Sequence, residues 1–186
     1  GRRHGKPPIS AEWATGVAGD LHNYRLKVFG LVENALNLSL DDIKAMEKKS
    51  RITQHYCIQG WSGIAEWGGL PMMELMSLAK PKPEARVAVF YSFSEGTDGG
   101  QYYDSHTIED LWNPQALLAY EMNFKPLTVP HGGPLRLRTE NELGFKRVNL
   151  IQSIEFVEDV KRIYKAQRGL AQDNDSFASM AKVGPT

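Results

Sequence analysis

Between Gln54 and Gly69 the chain reads Q-H-Y-C-I-Q-G-W-S-G-I-A-E-W-G-G, gathering its single cysteine, two of its four tryptophans and four glycines. Glycine lets a backbone take positive φ and approach a ligand closely, but it weakens regular elements. That density beside Trp61 and Trp67 predicts a loop shaped around something, with strands and helices left to the flanks. Cys57, at the head of the loop, has three readings: a buried small hydrophobe, a nucleophile, or a soft metal ligand. Free cysteine is most often core, so other stretches have to decide.

Composition narrows the partners. Twenty-two basic and twenty-two acidic residues leave no net charge, which argues against nucleic acid, whose phosphates call for a basic excess. One cysteine allows no intrachain disulfide and says nothing of redox compartment. No apolar run approaches the roughly 20 residues of a membrane span. Gly1 to Pro8 is basic without an apolar stretch behind it, so it does not read as a signal peptide. A chain opening on Gly rather than Met reads as processed or excised from something longer, and 186 residues suffice for one core.

Residues 1–22 read as irregular. Tyr24 to Gly30 alternates like a half-buried strand. Ser39-Leu40-Asp41-Asp42 predicts a capped helix through about Lys48, and Arg51 to Cys57 a strand. Pro71 opens a short helix over Met72 to Ala79, whose methionines read as core. Ala85 to Phe93 is the strongest strand signal and predicts a central strand. A glycine-rich loop then leads to Gln101-Tyr102-Tyr103-Asp104, and Thr107 caps a helix ending before Pro114. Leu117 to Met122 is a short apolar stretch, a strand ends at Arg138, and Ile151 to Val157 alternates like an edge strand. Strands and helices mix without strict alternation, which predicts an α+β fold with a mixed sheet over residues 1–164 and a polar tail over 165–186.

Three polar stretches carry candidate chemistry: Cys57 with its glycines, Tyr102-Tyr103, and the pair His131–Arg136 and Lys146–Asn149. Pro-His-Gly-Gly-Pro-Leu-Arg sets an imidazole and a guanidinium around a tightly shaped backbone, and arginine's planar fork suits phosphate. Turn residues plus solvated charge is the plainer reading. No G-x-x-x-x-G-K-[ST] or G-x-G-x-x-G occurs, and none of the five histidines forms a zinc-type pair. His55, two residues before Cys57, leaves a Cys–His nucleophile and a thiol hydrolase open.

Cys57 with its glycine–tryptophan loop, Leu118-Ala119-Tyr120-Glu121-Met122-Asn123, His131-Gly132-x-Pro134-Leu135-Arg136 and Gly144-Phe145-Lys146 form an ordered set. Together, over about residues 3 to 160, they resemble the molybdopterin-binding domain of the sulfite oxidase family. The cysteine loop is closer to the bacterial branch holding the periplasmic methionine sulfoxide reductase catalytic subunit than to sulfite oxidase itself. The resemblance implies one molybdenum held by a pterin dithiolene and by Cys57, a soft thiolate suited to a transition metal. It implies pterin and phosphate contacts at His131, Arg136, Lys146, Arg147, Val148 and Asn149, with further contacts at Ser92 and at Arg3 and His4. Tyr103, or Tyr102, matches the tyrosine that meets substrate at the metal, with Gln59 or Trp61 beside it.

Two departures shape the expected function. Where sulfite oxidases carry a basic residue after the cysteine, this chain has Ile58-Gln59-Gly60-Trp61, and a sulfite dianion would lose charge-assisted hydrogen bonds. Asn149 stands where the family usually has lysine. The family's immunoglobulin-like dimerisation domain would fall after about residue 160, where a short polar tail remains, so a monomer is expected. The implied activity is oxygen-atom transfer on a sulfoxide or N-oxide, small or protein-borne. Its electrons come from a partner, a separate cytochrome, a membrane-bound protein or a lost domain, since no C-x-x-C-H haem motif occurs. A pterin- or anion-binding module without turnover is the alternative. The compartment is left open; relatives of this type are often exported, which leans toward the periplasm.

Overall fold

The computed structural model describes residues 23–56, 62–95, 101–139 and 148–161. Within them β1 (Arg25–Gly30), β2 (Leu36–Ser39), β5 (Val87–Glu95), β6 (Gln101–Thr107) and β10 (Ile151–Val157) form one sheet in the order β2-β1-β10-β5-β6. β10 runs parallel to β1, and the other pairings are antiparallel. A second sheet runs β3 (Lys49–Tyr56), β4 (Ser62–Pro71), β7 (Leu117–Met122), β8 (Lys125–Pro126), with β9 (Arg136–Arg138) also on β7.

One core serves both sheets. Leu26 and Val28 of β1, Phe90 of β5 and Ile154 and Phe156 of β10 cluster with Leu70 of β4, Leu118 of β7 and Leu137 of β9. The helices close it. α1 (Leu40–Ala45) contributes Ile43, α2 (Met72–Ala79) Met72, Leu75, Met76 and Ala79 at helical spacing, and α3 (Ile108–Leu111) Leu111. Met72 and Met76 are core as expected, whereas Met73, on another face of the helix, is only half-buried. The mixed sheets with short helices give the expected α+β fold.

Local rules explain where elements start. Ser39 accepts from the Asp42 N–H at 3.0 Å while Asp42 accepts from the Ser39 N–H at 2.9 Å, a reciprocal cap. Thr107 caps α3 with its side-chain oxygen alone, accepting from the Asp110 N–H at 3.1 Å. α1 stops at Ala45 rather than near Lys48, because Met46 is already extended and the chain enters β3. Pro71 caps α2 rather than forming its first turn.

Two expectations change. Most of Gln54–Gly69 is the β3–β4 hairpin rather than a loop, with Trp67, Gly68 and Gly69 inside β4. The glycines there serve packing and a bulge. A Cβ on Gly69 would lie 2.0 Å from the Leu118 carbonyl, and the β4–β7 register shifts between Gly68 and Gly69. β10, whose alternation suggests an edge, is instead the middle strand, and β5 is an interior strand between β10 and the edge strand β6. Ile151, Ile154 and Phe156 face the core while Gln152, Ser153 and Glu155 remain partly exposed. Alternation reports one covered face, which a central strand can also have.

Candidate functional site

The stretch from Thr128 to Asn149 builds a site from a turn, a strand and a crossing segment. Thr128 opens a single 3-10 turn, Val129–His131, whose backbone N–H groups at His131 and Gly133 both reach the Thr128 carbonyl, each at 2.9 Å. Gly132 ends the turn at φ +92°, a conformation that L side chains rarely adopt. Gly133, in cis linkage to Pro134, presses on the Leu127 carbonyl, which a Cβ would approach to 2.2 Å. The chain leaves this turn directly into β9.

The turn aims two cationic or neutral donors outward. Thr128 Oγ1 and His131 Nδ1 are 2.8 Å apart, which leaves Nε2 of the exposed imidazole as the nitrogen for a ligand. Arg136 donates from Nη1 to the His131 carbonyl at 2.8 Å, and its guanidinium lies 4.8 Å from the Trp67 ring centroid. Cation–π contact and the hydrogen bond together fix the fork in one orientation.

The segment Val148–Leu150 crosses behind the turn. Leu150 N–H donates to the Gly132 carbonyl at 3.0 Å, and Leu137 N–H to the Val148 carbonyl at 2.8 Å. Ser92, buried at the end of β5, donates its hydroxyl to the Asn149 carbonyl at 2.7 Å. Gln101 Nε2 reaches the Ser92 carbonyl at 3.0 Å from the other side. Asn149 Oδ1 is pressed against Gly132, buried, and without a hydrogen-bond partner.

The structure therefore brings Ser92, His131, Arg136, Val148 and Asn149 into one neighbourhood. They do not act alike. The Val148 side chain is fully buried in the core, which leaves only its backbone for a ligand. Tyr103 is also fully buried, on β6, with its ring 5.8 Å from that of Tyr91 in a small cluster with Val89. Phe90 and Tyr91 are successive in β5, so this cluster lies on the face opposite the main core. Burial, and then the neighbouring Glu155, push the Tyr91 hydroxyl well above the usual phenol range. Tyr102 faces the main core instead. Cys57, Gln59, Trp61, Lys146, Arg147, Arg3 and His4 lie outside the described residues.

One neighbour of Arg136 lies outside the motifs. Arg138 lies over the same indole as Arg136, 4.4 Å from its centroid, and donates from Nη2 to Thr53 Oγ1 at 2.9 Å. The signal was present in Arg136-Leu137-Arg138, where the period of a strand puts both arginines on one face. Across that face Trp67 pairs opposite Arg51. Trp67 Nε1 and Arg51 Nε are buried donors without partners.

Unsatisfied donors beside clustered guanidiniums, and an unsatisfied acceptor at Asn149, complement an anionic ligand that carries N–H groups of its own. A pterin with its phosphate is such a ligand, so the residues present fit it.

A family model described as the oxidoreductase molybdopterin binding domain matches residues 14–165. The chain is 29% identical over 151 residues to the protein-methionine-sulfoxide reductase catalytic subunit of Campylobacter jejuni, covering 74% of this chain and 50% of that one. To the same subunit of Xanthomonas campestris it is 30% identical over 148 residues, covering 74% of this chain and 46% of that one. The chain thus spans about half the length of these curated relatives. Its fold matches the crystal structure of the sulfane dehydrogenase SoxCD from Paracoccus pantotrophus with a TM-score of 0.66 at 22% identity, over 77% of this chain and 40% of that one. By the extent of that family match, the chain belongs to the oxidoreductase molybdopterin-binding domain family.

Proposed function

We propose that this domain holds one molybdopterin with Cys57 as the protein thiolate on molybdenum, and reduces a sulfoxide. The observation that carries the proposal is the convergence on one site of Arg136, the exposed His131 imidazole and the partnerless Asn149 Oδ1. When bound, the cofactor supplies two-electron oxygen-atom exchange. Reduction of a sulfoxide takes two electrons and two protons and yields a thioether and water, so the domain needs an electron-delivering partner.

The chain's own residues bind and orient. Arg136, held by the His131 carbonyl and the Trp67 face, offers its fork to phosphate. His131 Nε2 and Asn149 Oδ1 take the polar edges of the pterin, and Ser92 fixes the Asn149 backbone. Lys146 and Arg147 add charge that Asn149 does not. Tyr103, which the resemblance matches to the substrate side, is fully buried against Tyr91 and is given no role in this reading. The uncharged run Ile58-Gln59-Gly60-Trp61 after the cysteine suits a neutral sulfoxide better than a sulfite dianion. The relatives named above as protein-methionine-sulfoxide reductase subunits support the substrate class.

Elemental analysis of the purified protein tests the reading. One molybdenum and pterin per chain, with loss of the metal–thiolate absorption and of sulfoxide reduction in Cys57→Ser, is the expected result. Protein purified from a cofactor-producing host without metal or pterin would rule it out. Asn149 favours one other reading, a module that binds pterin without turnover. Stoichiometric pterin, with Cys57→Ser leaving every spectroscopic property unchanged, would select that alternative.

A further inference from the structure

We propose that Arg138 is a positioning residue, a side-chain clamp that ties the strand leading to Cys57 to the strand leaving the His131–Arg136 turn. The inference rests on the reading of Cys57 as the thiolate ligand and Arg136 as a phosphate contact. Arg138 touches neither group; it acts on the elements that carry them.

The topology makes such a clamp necessary. β9 hydrogen-bonds to β7, and β7 and β4 stand between it and β3. Among the described residues no direct ladder therefore sets β9, which begins with Arg136, against β3, which ends one residue before Cys57 in sequence. The Arg138 side chain spans the gap, crossing the indole of Trp67 on β4 and ending on Thr53 of β3. The face is built for this passage. Thr53 pairs opposite Ala65, whose methyl group leaves room beside Trp67 for a guanidinium.

The contact is stiff as well as long. Arg138 is 4% exposed and Trp67 5%, so the cation–π attraction acts away from water, where it is stronger, while the hydrogen bond to the partly exposed Thr53 is partly buried. A planar fork stacked on a ring loses little further freedom when it donates to a hydroxyl. Arg136 lies on the same indole, so one ring registers both arginines. Thr53 lies in β3, which runs to Tyr56, the residue before Cys57 in sequence. A shift at Thr53 would thus reach the thiolate arm while leaving the Arg136 hydrogen bond to His131 in place.

The experiment compares Arg138→Leu, Arg138→Lys and Thr53→Val with the unaltered protein by three readouts. Amide hydrogen exchange of residues 49–56 and the rate of Cys57 alkylation by iodoacetamide in cofactor-free protein need no cofactor. Pterin content and the metal–thiolate absorption band are read on protein from a cofactor-producing host. Loss of a charged hydrogen bond predicts roughly tenfold faster exchange and alkylation in Arg138→Leu and a smaller rise in Thr53→Val. Pterin content should hold while the absorption band shifts, and Arg138→Lys should restore part of each effect. Unchanged exchange and alkylation in Arg138→Leu would overturn the clamp. So would a global loss of stability in Arg138→Leu with Thr53→Val wholly unaffected, since Arg138 would then be packing alone. Absence of pterin from every protein would instead remove the cofactor reading, and the exchange and alkylation data would still decide the clamp.

Discussion

Gly132 and Asn149 meet so closely that a methyl group at position 132 would lie 2.8 Å from Asn149 Oδ1 and 2.9 Å from its Cγ. The turn and the crossing segment are thus fitted through the absence of a side chain. Gly132→Ala combines this clash with the strain of φ +92° for an L residue, and should cost about 1–3 kcal/mol. Denaturant midpoints should separate the two causes. In an Asn149→Ala background the nearest colliding atoms are gone, so Gly132→Ala should cost less, and equal costs in both backgrounds would place the whole effect in the backbone.

Asn149 itself should behave oppositely with and without a ligand. Its Oδ1 is buried without a partner, a condition that typically costs about 1–3 kcal/mol until a donor arrives. Asn149→Leu should therefore melt at or above the temperature of the unaltered protein when both lack cofactor, and retain less pterin when both are made with it. A variant that melts lower without cofactor and retains full pterin would show the amide to be structural.

The hydrogen bond from Tyr24 to the Ile151 carbonyl, 2.7 Å long and buried, joins the start of β1 to the start of β10. Tyr24→Phe keeps the ring and its tilted contact with Phe93 but strips a buried carbonyl of its donor, so a loss of about 1–2 kcal/mol is expected. Thermal unfolding measures it. Burial holds the Tyr24 hydroxyl far above the usual phenol range, so this contribution should persist unchanged through pH 9.

The caps at Ser39 and Thr107 and the helix over Met72–Ala79 were legible because each depends on a few neighbouring residues. Strand order was not. β10, expected at an edge, is the middle strand, while β5 is interior as expected, between β10 and the edge strand β6, because hydrophobic alternation records which face is covered and not how many neighbours a strand has. The site was legible in part. The ordered motifs pointed to Ser92, His131, Arg136 and Asn149, and these lie around one turn. Arg138 was missed because its meaning depends on Trp67 and Thr53, distant in sequence and brought beneath it only by the β3–β4 hairpin. The glycines at 68 and 69 misled for a related reason: their small size serves the approach of β7 and not a loop.

Glu155 on β10 provides a pH test. Burial raises its carboxyl above the ordinary 4.5, and the hydrogen bond from Tyr91 offsets part of that rise. The native state therefore keeps this proton to higher pH than the unfolded chain does. Where the native state binds more protons, stability falls as pH rises, so the contribution present below pH 4.5 should fade through the raised value and then level off. Glu155 remains partly exposed and screened, so the change is modest. Asp42 and Glu47 carry lowered values and act in the opposite sense at lower pH, Asp42 through the Ser39 cap and Glu47 through Lys49. Subtracting the melting curve of Glu155→Gln from that of the unaltered protein at each pH isolates the one group. The difference should favour the glutamate below pH 4.5 and move steadily toward the glutamine above it. A difference that moves toward the glutamate instead would mean that the charged form of Glu155 is the one the fold stabilises.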